Sequence, residues 1–208
     1  VEDAAAAMPA EAFRTRDVAP PTILFVGLLR ESKGVLVLLE ACADLRRRGL
    51  DFRLDLVGEL HSRALGTRVA RLIDENDLQS VVRLRGVLAG DDKHRAYAEA
   101  SVFCFPSFFE SETFGLVLIE AMQFGLPVVA TSWRGIPSVV ADGDNGYLVP
   151  IKDVDALADR LGLLLRDPEL AESMGRRGRR LYEERFTLQR FHADIQKVFD
   201  AVRQDLSR

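Results

Sequence analysis

Short apolar segments alternate with helical segments along almost the whole chain, and this alternation restricts the fold more than any other feature. Apolar segments of this kind are typical of strands buried on both faces of a parallel sheet. Strands that are joined through helices make right-handed crossovers. The pattern therefore predicts an α/β fold with a doubly wound, Rossmann-like parallel sheet of about six strands, helices on both faces and further helices at the C-terminus. The predicted strands are residues 22–27, 52–58, 81–86, 102–105, 127–130 and 146–150.

The polarity of each segment predicts its place in the sheet. Residues 102–105 are apolar throughout and are expected at the centre, whereas residues 81–86 alternate and are expected near an edge. Ligands of doubly wound sheets bind at the carboxyl ends of the strands. We therefore expect the site at Gly27 and at the ends of the other strands. Ser32 is predicted to cap the first helix.

One carboxylate, Glu120, is the only ionisable side chain between Thr113 and Ala130. An unpaired carboxylate loses several kcal/mol of hydration on burial, so a polar group must meet it. That group is either a protein donor, which would make Glu120 a structural carboxylate, or a hydroxyl of a ligand. The residues alone leave both alternatives open.

A second carboxylate, Glu112, lies just before the helix on which Glu120 is predicted, although Glu110 competes for its role. Phe114, Gly115 and Leu116 fall in the first turn, where unpaired N–H groups and the helix dipole favour an anion. Two carboxylates around a helix start suit a ligand that carries hydroxyls at both ends and phosphate between them. A sugar nucleotide has this layout.

The composition is that of an ordinary globular protein, with a net charge of −4 over 208 residues. This charge gives no reason to expect nucleic acid or an anionic membrane as a partner. No apolar run reaches the roughly 20 residues of a membrane-spanning helix. The basic run 176–180 has acidic neighbours and is predicted to be a solvated helix face. Cys42 and Cys104 are predicted to be buried core thiols, so we expect a cytoplasmic protein.

An ordered set of motifs resembles the retaining group 1 glycosyltransferases of GT-B fold. Glu112 and Glu120, with Phe-Gly-Leu between them, resemble the signature of that family. Residues 25–27, followed by Lys33 and Gly34, are similar to its first strand and phosphate loop. The resemblance covers roughly residues 23–191. It implies a hexosyltransferase-type enzyme that takes a sugar from a nucleoside diphosphate sugar.

The resemblance also implies roles for single residues. As catalytic residues, Lys33 would neutralise the leaving diphosphate and Glu112 would contact the hydroxyls of the donor sugar. Glu120 would hold the ribose, because the two oxygens of a carboxylate can accept from a vicinal diol. The N–H groups of Phe114, Gly115 and Leu116 would approach the phosphates or the sugar.

The first loop departs from the family pattern, since Leu28 stands where many members carry a phosphate-binding arginine after Gly27. Arg30 is expected to serve instead. Val87 and Leu88 are expected to pack on the base, with a core position as the alternative. A fixed ammonium and a helix start can lower the barrier to diphosphate departure, so no metal is expected. A UDP-sugar is favoured over a GDP-sugar only because it is commoner in the family.

A complete enzyme of this family has two domains, and the chain accounts for the donor-binding, C-terminal one. Residues 1–21 are expected to be a linker or incoming arm, 22–186 the nucleotide-sugar-binding domain, and 187–208 a C-terminal helix. The N-terminal acceptor domain is expected to be absent from this chain, so the fragment alone is expected to be inactive. Any membrane-peripheral association is expected through the absent domain. The alternative is a stand-alone module that binds a nucleotide or sugar nucleotide without catalysis.

Overall fold

The computed structural model describes residues 20–206, and in this range six parallel strands form one sheet in the order β3-β2-β1-β4-β5-β6. The predicted doubly wound sheet is confirmed. Residues 1–19 of the predicted incoming arm lie outside the described residues. The strands are β1 (Thr22–Val26), β2 (Arg53–Val57), β3 (Val82–Gly86), β4 (Val102–Phe105), β5 (Val128–Thr131) and β6 (Gly146–Val149).

The strand order brings β1 and β4 together at the centre of the sheet. Ile23 pairs with Val102, and Leu24 pairs with Phe103. Strand β4 is buried along its whole length, whereas β3 forms one edge and is mostly exposed. The predicted central and edge positions are therefore confirmed. Because the strand order reverses between β1 and β4, a crevice opens at their carboxyl ends.

Helices cover the sheet through their apolar faces, with α1 packed on α5 and α4 packed on α6. Ser62 caps α2, while Asp153 and Asp167 cap α5 and α6 through side-chain oxygens. The cap at Asp167 is followed by proline at the first helical position, where its fixed φ suits the helix. The helices of the described residues are α1 (Val35–Arg47), α2 (Arg63–Glu75), α3 (Gly90–Glu99), α4 (Leu116–Gln123), α5 (Val154–Arg166), α6 (Pro168–Arg185) and α7 (Leu188–Leu206).

Both cysteines belong to the hydrophobic core, as predicted. Cys42 on α1 and Cys104 on β4 are fully buried, and neither takes part in a disulfide. Burial raises the pKa of both thiols well above the ordinary value. They therefore remain protonated and unreactive in the folded chain, since the thiolate is the nucleophile.

The basic run 176–180 lies on α6 and is less solvated than predicted. The Arg177 side chain donates to the carbonyl oxygen of Asp144 at 2.8 Å, and Arg179 donates to that of Gln123 at 2.5 Å. These arginines stabilise the packing of α6 on the rest of the domain. In the described range, no helix combines the length and the apolar character that crossing a membrane requires.

The last helix, α7, begins after Thr187, whose hydroxyl accepts from the N–H of Arg190. Apolar residues at helical spacing on α7 are exposed to solvent. We call this surface the α7 apolar face. It consists of Phe191, Ile195, Val198 and Val202.

The predicted cap at Ser32 is wrong. Residues Glu31–Lys33 form a short 3-10 helix, and α1 begins only after Gly34, which has a φ of 80°. A Cβ atom at Gly34 would lie 2.1 Å from the carbonyl oxygen of Pro106. The loop after β1 is thus pressed against the loop after β4, and this long-range contact, rather than a side-chain cap, sets where α1 starts.

The substitution Gly34→Ala tests this contact, and Gly49→Ala is its matched control. Both glycines have positive φ, but no heavy atom would lie within 4 Å of a Cβ at Gly49. We expect Gly49→Ala to lower the free energy of unfolding by about 1–2 kcal/mol, which is the left-handed backbone penalty. Gly34→Ala is expected to lower the free energy of unfolding by about 1–3 kcal/mol more than Gly49→Ala does, because its methyl group would clash with the backbone of Pro106. Equal losses in urea unfolding would contradict the close approach.

Candidate functional site

The loop after β1 is held in place by backbone contacts with the loop after β2. The N–H of Gly27 donates to the oxygen of Val57 at 2.9 Å, and that of Leu29 donates to Glu59 at 2.8 Å. A Cβ atom at Gly58 would lie 1.9 Å from the carbonyl oxygen of Gly27, so only glycine allows this approach. The loop that carries Arg30 therefore starts from a fixed position at the crevice.

Lys33 and Glu112 come together at the crevice. The Lys33 ammonium donates to Oε2 of Glu112 at 2.6 Å, and the Ser107 hydroxyl donates to the same oxygen at 3.0 Å. Only 8% of the Glu112 side chain is exposed. The neighbouring Glu110 is exposed, so of these two carboxylates it is Glu112 that lies inside the crevice.

Aromatic rings place a second cation near this ion pair. The Lys33 ammonium lies 4.8 Å from the ring centre of Phe109, and the Arg30 guanidinium lies 5.1 Å from the same ring. Both cations thus contact one side chain of the loop after β4. Leu28, which stands at the position of the expected arginine, is partly exposed.

Helix α4 begins beside this loop. Its N-cap residue, Gly115, has a φ of 73° and offers no capping side chain. A Cβ there would lie 3.1 Å from Leu118 and 3.2 Å from Phe105. Leu116, the first helical residue, is largely exposed. At this first position α4 is therefore reachable from solvent, and the N–H groups at a helix start lack intrahelical partners.

Glu120 is met by protein donors that sequence reasoning missed. The Lys93 ammonium donates to Oε1 at 2.7 Å, and the Tyr97 hydroxyl donates to Oε2 at 2.8 Å. Lys93 and Tyr97 lie four positions apart, which is one helical turn on α3. This spacing is the sequence signal that both side chains lie on the same face of that helix. The carboxylate is nevertheless not sealed, because 20% of its side chain is exposed. It is tied to the protein and is still accessible to a ligand.

Burial fixes the Tyr97 side chain as a donor. Its ring stacks on Phe124 with 5.4 Å between ring centres and 8° between planes, and it also contacts Phe103. Burial, together with the negative charge of Glu120, raises the pKa of Tyr97 well above its ordinary value. The hydroxyl therefore stays protonated at neutral pH and keeps donating to Glu120.

The loop after β5 supports the loop that carries Glu112. The Trp133 indole N–H donates to the carbonyl oxygen of Phe109 at 2.9 Å, and the Thr131 hydroxyl donates to that of Ser107. A Cβ atom at Gly135 would lie 1.6 Å from the carbonyl oxygen of Thr113. Trp133 thus fixes the path of the loop that leads to α4.

The residues expected to pack on the base follow the edge strand β3. Val87 is 71% exposed, so its alternative position in the core is excluded. Leu88 is partly buried and packs against the core. Parallel strands all end on the same side of the sheet. Both residues therefore lie at the carboxyl ends of the strands, as Gly27 does.

The sequence profile of the family described as "Glycosyl transferases group 1" matches residues 11–181. The putative colanic acid biosynthesis glycosyltransferase WcaL of Salmonella typhimurium is 31% identical over 191 residues, which are 88% of this chain and 46% of that protein. The chain spans about half the length or less of the curated relatives that it matches.

Two solved structures show the same fold. The Anabaena protein HepE, in complex with UDP-glucose, superposes with a TM-score of 0.81 at 23% identity, over 93% of this chain and 53% of that chain. The C-terminal domain of a glycosyl transferase group 1 family protein from Francisella tularensis superposes with a TM-score of 0.74 at 23% identity. This second match covers 86% of the present chain and 92% of the Francisella chain.

The substitution Tyr97→Phe removes the hydroxyl that donates to Glu120. We expect it to lower the free energy of unfolding at pH 7 by about 1.5–3 kcal/mol, the usual contribution of a hydrogen bond to a charged group. An unfolded tyrosine ionises near pH of about 10, whereas the raised pKa keeps Tyr97 protonated in the folded chain. Its contribution is therefore complete below that pH and is lost as the pH rises through the folded pKa.

Urea unfolding between neutral and alkaline pH measures this effect. The difference between the wild type and Tyr97→Phe should shrink above pH of about 10, because only the wild type loses this contribution. Tyr147→Phe, at a half-buried tyrosine on β6, is the control and should change stability less. A difference that stays constant over the whole pH range would contradict the assignment.

Proposed function

The chain belongs to the group 1 glycosyl transferases, and from this membership we propose that it is the donor-binding half of a retaining glycosyltransferase. In this proposal, it holds a nucleoside diphosphate sugar while the sugar passes to an acceptor. The observation that carries the proposal is the contact between Lys33 and Glu112 at the point where the strand order reverses. One group can bind phosphate, and the other can bind sugar hydroxyls.

Lys33 is the proposed partner of the diphosphate. Negative charge grows on the leaving diphosphate as the glycosidic bond breaks, and a fixed cation lowers that barrier. Lys33 is held between Glu112 and the ring of Phe109, so its ammonium is already in place before the donor arrives. Arg30, on the same ring, is proposed to take the phosphate role of the arginine that Leu28 replaces. Gly27 is the first residue after β1 and begins the loop that carries Arg30 and Lys33.

The start of α4 is the proposed anion-binding turn. The N–H group of Leu116 opens the first turn, and those of the N-cap Gly115 and of Phe114 come just before it, near the positive end of the helix dipole, which favours phosphate. Gly115 has a positive φ, at which the backbone turns into the helix, and it has no side chain that would block the N–H groups. Together with Lys33 this turn is proposed to bind the diphosphate without a metal ion.

The two carboxylates are proposed to bind the two ends of the donor. Glu112 keeps its second oxygen, Oε1, for hydroxyls of the sugar, since Lys33 and Ser107 both donate to Oε2. Glu120 is proposed to accept from the ribose diol through its exposed part. Val87 and Leu88 are proposed to pack on the base, which exposed Val87 is free to do. UDP is the proposed nucleotide.

An acceptor domain is proposed to complete the enzyme. The chain spans about half the length of its curated relatives. The α7 apolar face is a contiguous exposed apolar surface, and such surfaces mark contacts with another protein body. For the whole protein, we propose sugar transfer with retention of configuration and a cytoplasmic location.

Calorimetric titration with UDP in the presence of EDTA tests the donor site. We expect binding by the wild type and at least about tenfold weaker binding by Glu120→Gln, because an amide is a poorer acceptor for the diol than a carboxylate. The matched control is Glu110→Gln, at an exposed carboxylate outside the crevice. If Glu120→Gln lowered the unfolding midpoint while leaving UDP affinity intact, Glu120 would be purely structural.

A second experiment tests the need for an acceptor domain. The 208-residue chain is incubated with radiolabelled UDP-sugars and a panel of sugar and polyol acceptors. We expect nucleotide binding but no multiple-turnover transfer, because the acceptor is held elsewhere. Sustained transfer by this chain alone would refute the proposed division between two domains. Binding without transfer even in the full-length protein would favour the stand-alone binding module.

A further inference from the structure

We propose that Lys93 is an additional ribose-binding residue, which donates hydrogen bonds to the same diol that Glu120 accepts from. This inference rests on the donor site proposed above and adds a residue to it. It starts from the 2.7 Å contact between the Lys93 ammonium and Glu120. This pair is partly exposed, so a ligand can reach both charged groups at once.

The two partners of Glu120 differ in mobility. Tyr97 is 1% exposed and is held by its stack on Phe124, so it fixes one carboxylate oxygen rigidly. The Lys93 side chain is 26% exposed and reaches the other oxygen from the first half of α3. Tyr97 therefore serves as the anchor, while Lys93 can shift to share its hydrogen bonds with a ligand.

The chemistry of a ribose hydroxyl explains why both charged groups are useful. A hydroxyl donates one hydrogen bond and accepts others, whereas a carboxylate can only accept. The Lys93 ammonium has three N–H groups, and in the described part of the chain its only hydrogen bond goes to Glu120. Lys93 beside Glu120 thus presents donors next to an acceptor. A vicinal diol can donate to Glu120 and accept from Lys93 without breaking the bond from Tyr97.

Three other roles for Lys93 make different predictions. If the ion pair is merely structural, Lys93 contributes little to binding, as expected of a partly exposed pair. If Lys93 is a plug that the ribose must displace, its removal strengthens nucleotide binding. A purely electrostatic attraction to the diphosphate would weaken every diphosphate equally, whatever hydroxyls its sugar carries.

The experiment compares UDP with 2′,3′-dideoxy-UDP, which lacks the diol. The proteins are the wild type, Lys93→Met, Lys93→Arg and a matched control, Arg95→Met, at an exposed cation on the same helix. We expect Lys93→Met to weaken UDP binding about tenfold and dideoxy-UDP binding much less. Lys93→Arg keeps donors and should retain most of the preference for the diol. Arg95→Met should leave both affinities unchanged.

The possible results separate this inference from the proposed function. If the folded wild type does not bind UDP, the donor site itself is wrong and the inference falls with it. If Glu120→Gln weakens UDP binding but Lys93→Met does not, only the role of Lys93 is overturned. Equal weakening of both nucleotides, or tighter UDP binding by Lys93→Met, also overturns it. Urea midpoints of each variant verify that the affinities refer to folded protein.

Discussion

The close approach of Gly34 to the carbonyl oxygen of Pro106 is the constraint on which the site depends. This backbone contact ties the loop after β1 to the loop after β4, across the point where the strand order reverses. It is reinforced by the N–H of Phe108, which donates to the oxygen of Ser32 at 2.8 Å. Lys33 lies between these two contacts and therefore meets Glu112. A side chain at Gly34 would separate the loops and the ion pair with them.

Both candidate carboxylates are neutralised within the chain. Glu112 is paired with Lys33, and Glu120 is paired with Lys93, at 2.6 and 2.7 Å. Partly buried carboxylates without such partners would lose hydration with nothing to replace it. The pairs thus stabilise the two carboxylates within the folded chain, and each leaves an ammonium beside a carboxylate. A sugar nucleotide, which carries hydroxyls and phosphate oxygens, can use both members of each pair.

Much of the fold follows from local sequence signals, but the contacts of the site do not. Apolar runs and helical spacing predicted the sheet, the central position of β4 and the exposed edge at β3. The cap at Ser32 was mispredicted because a backbone contact with Pro106, far away in sequence, decides where the helix starts. Lys93 was missed for a similar reason, since it and Glu120 lie 27 positions apart. Periodicity identifies the face of a helix but not what packs against it.

The cavity beside α4 connects the proposed donor site to the α7 apolar face. It has a volume of about 550 Å³ and lies between Leu116, at the start of α4, and residues of α7 such as Phe191 and Ile195. Leu116 also belongs to the turn that is proposed to bind the diphosphate. A body that covers the α7 apolar face would therefore lie next to the reacting end of the donor. In the proposed enzyme, a second domain on this apolar surface would therefore hold the acceptor close to the sugar.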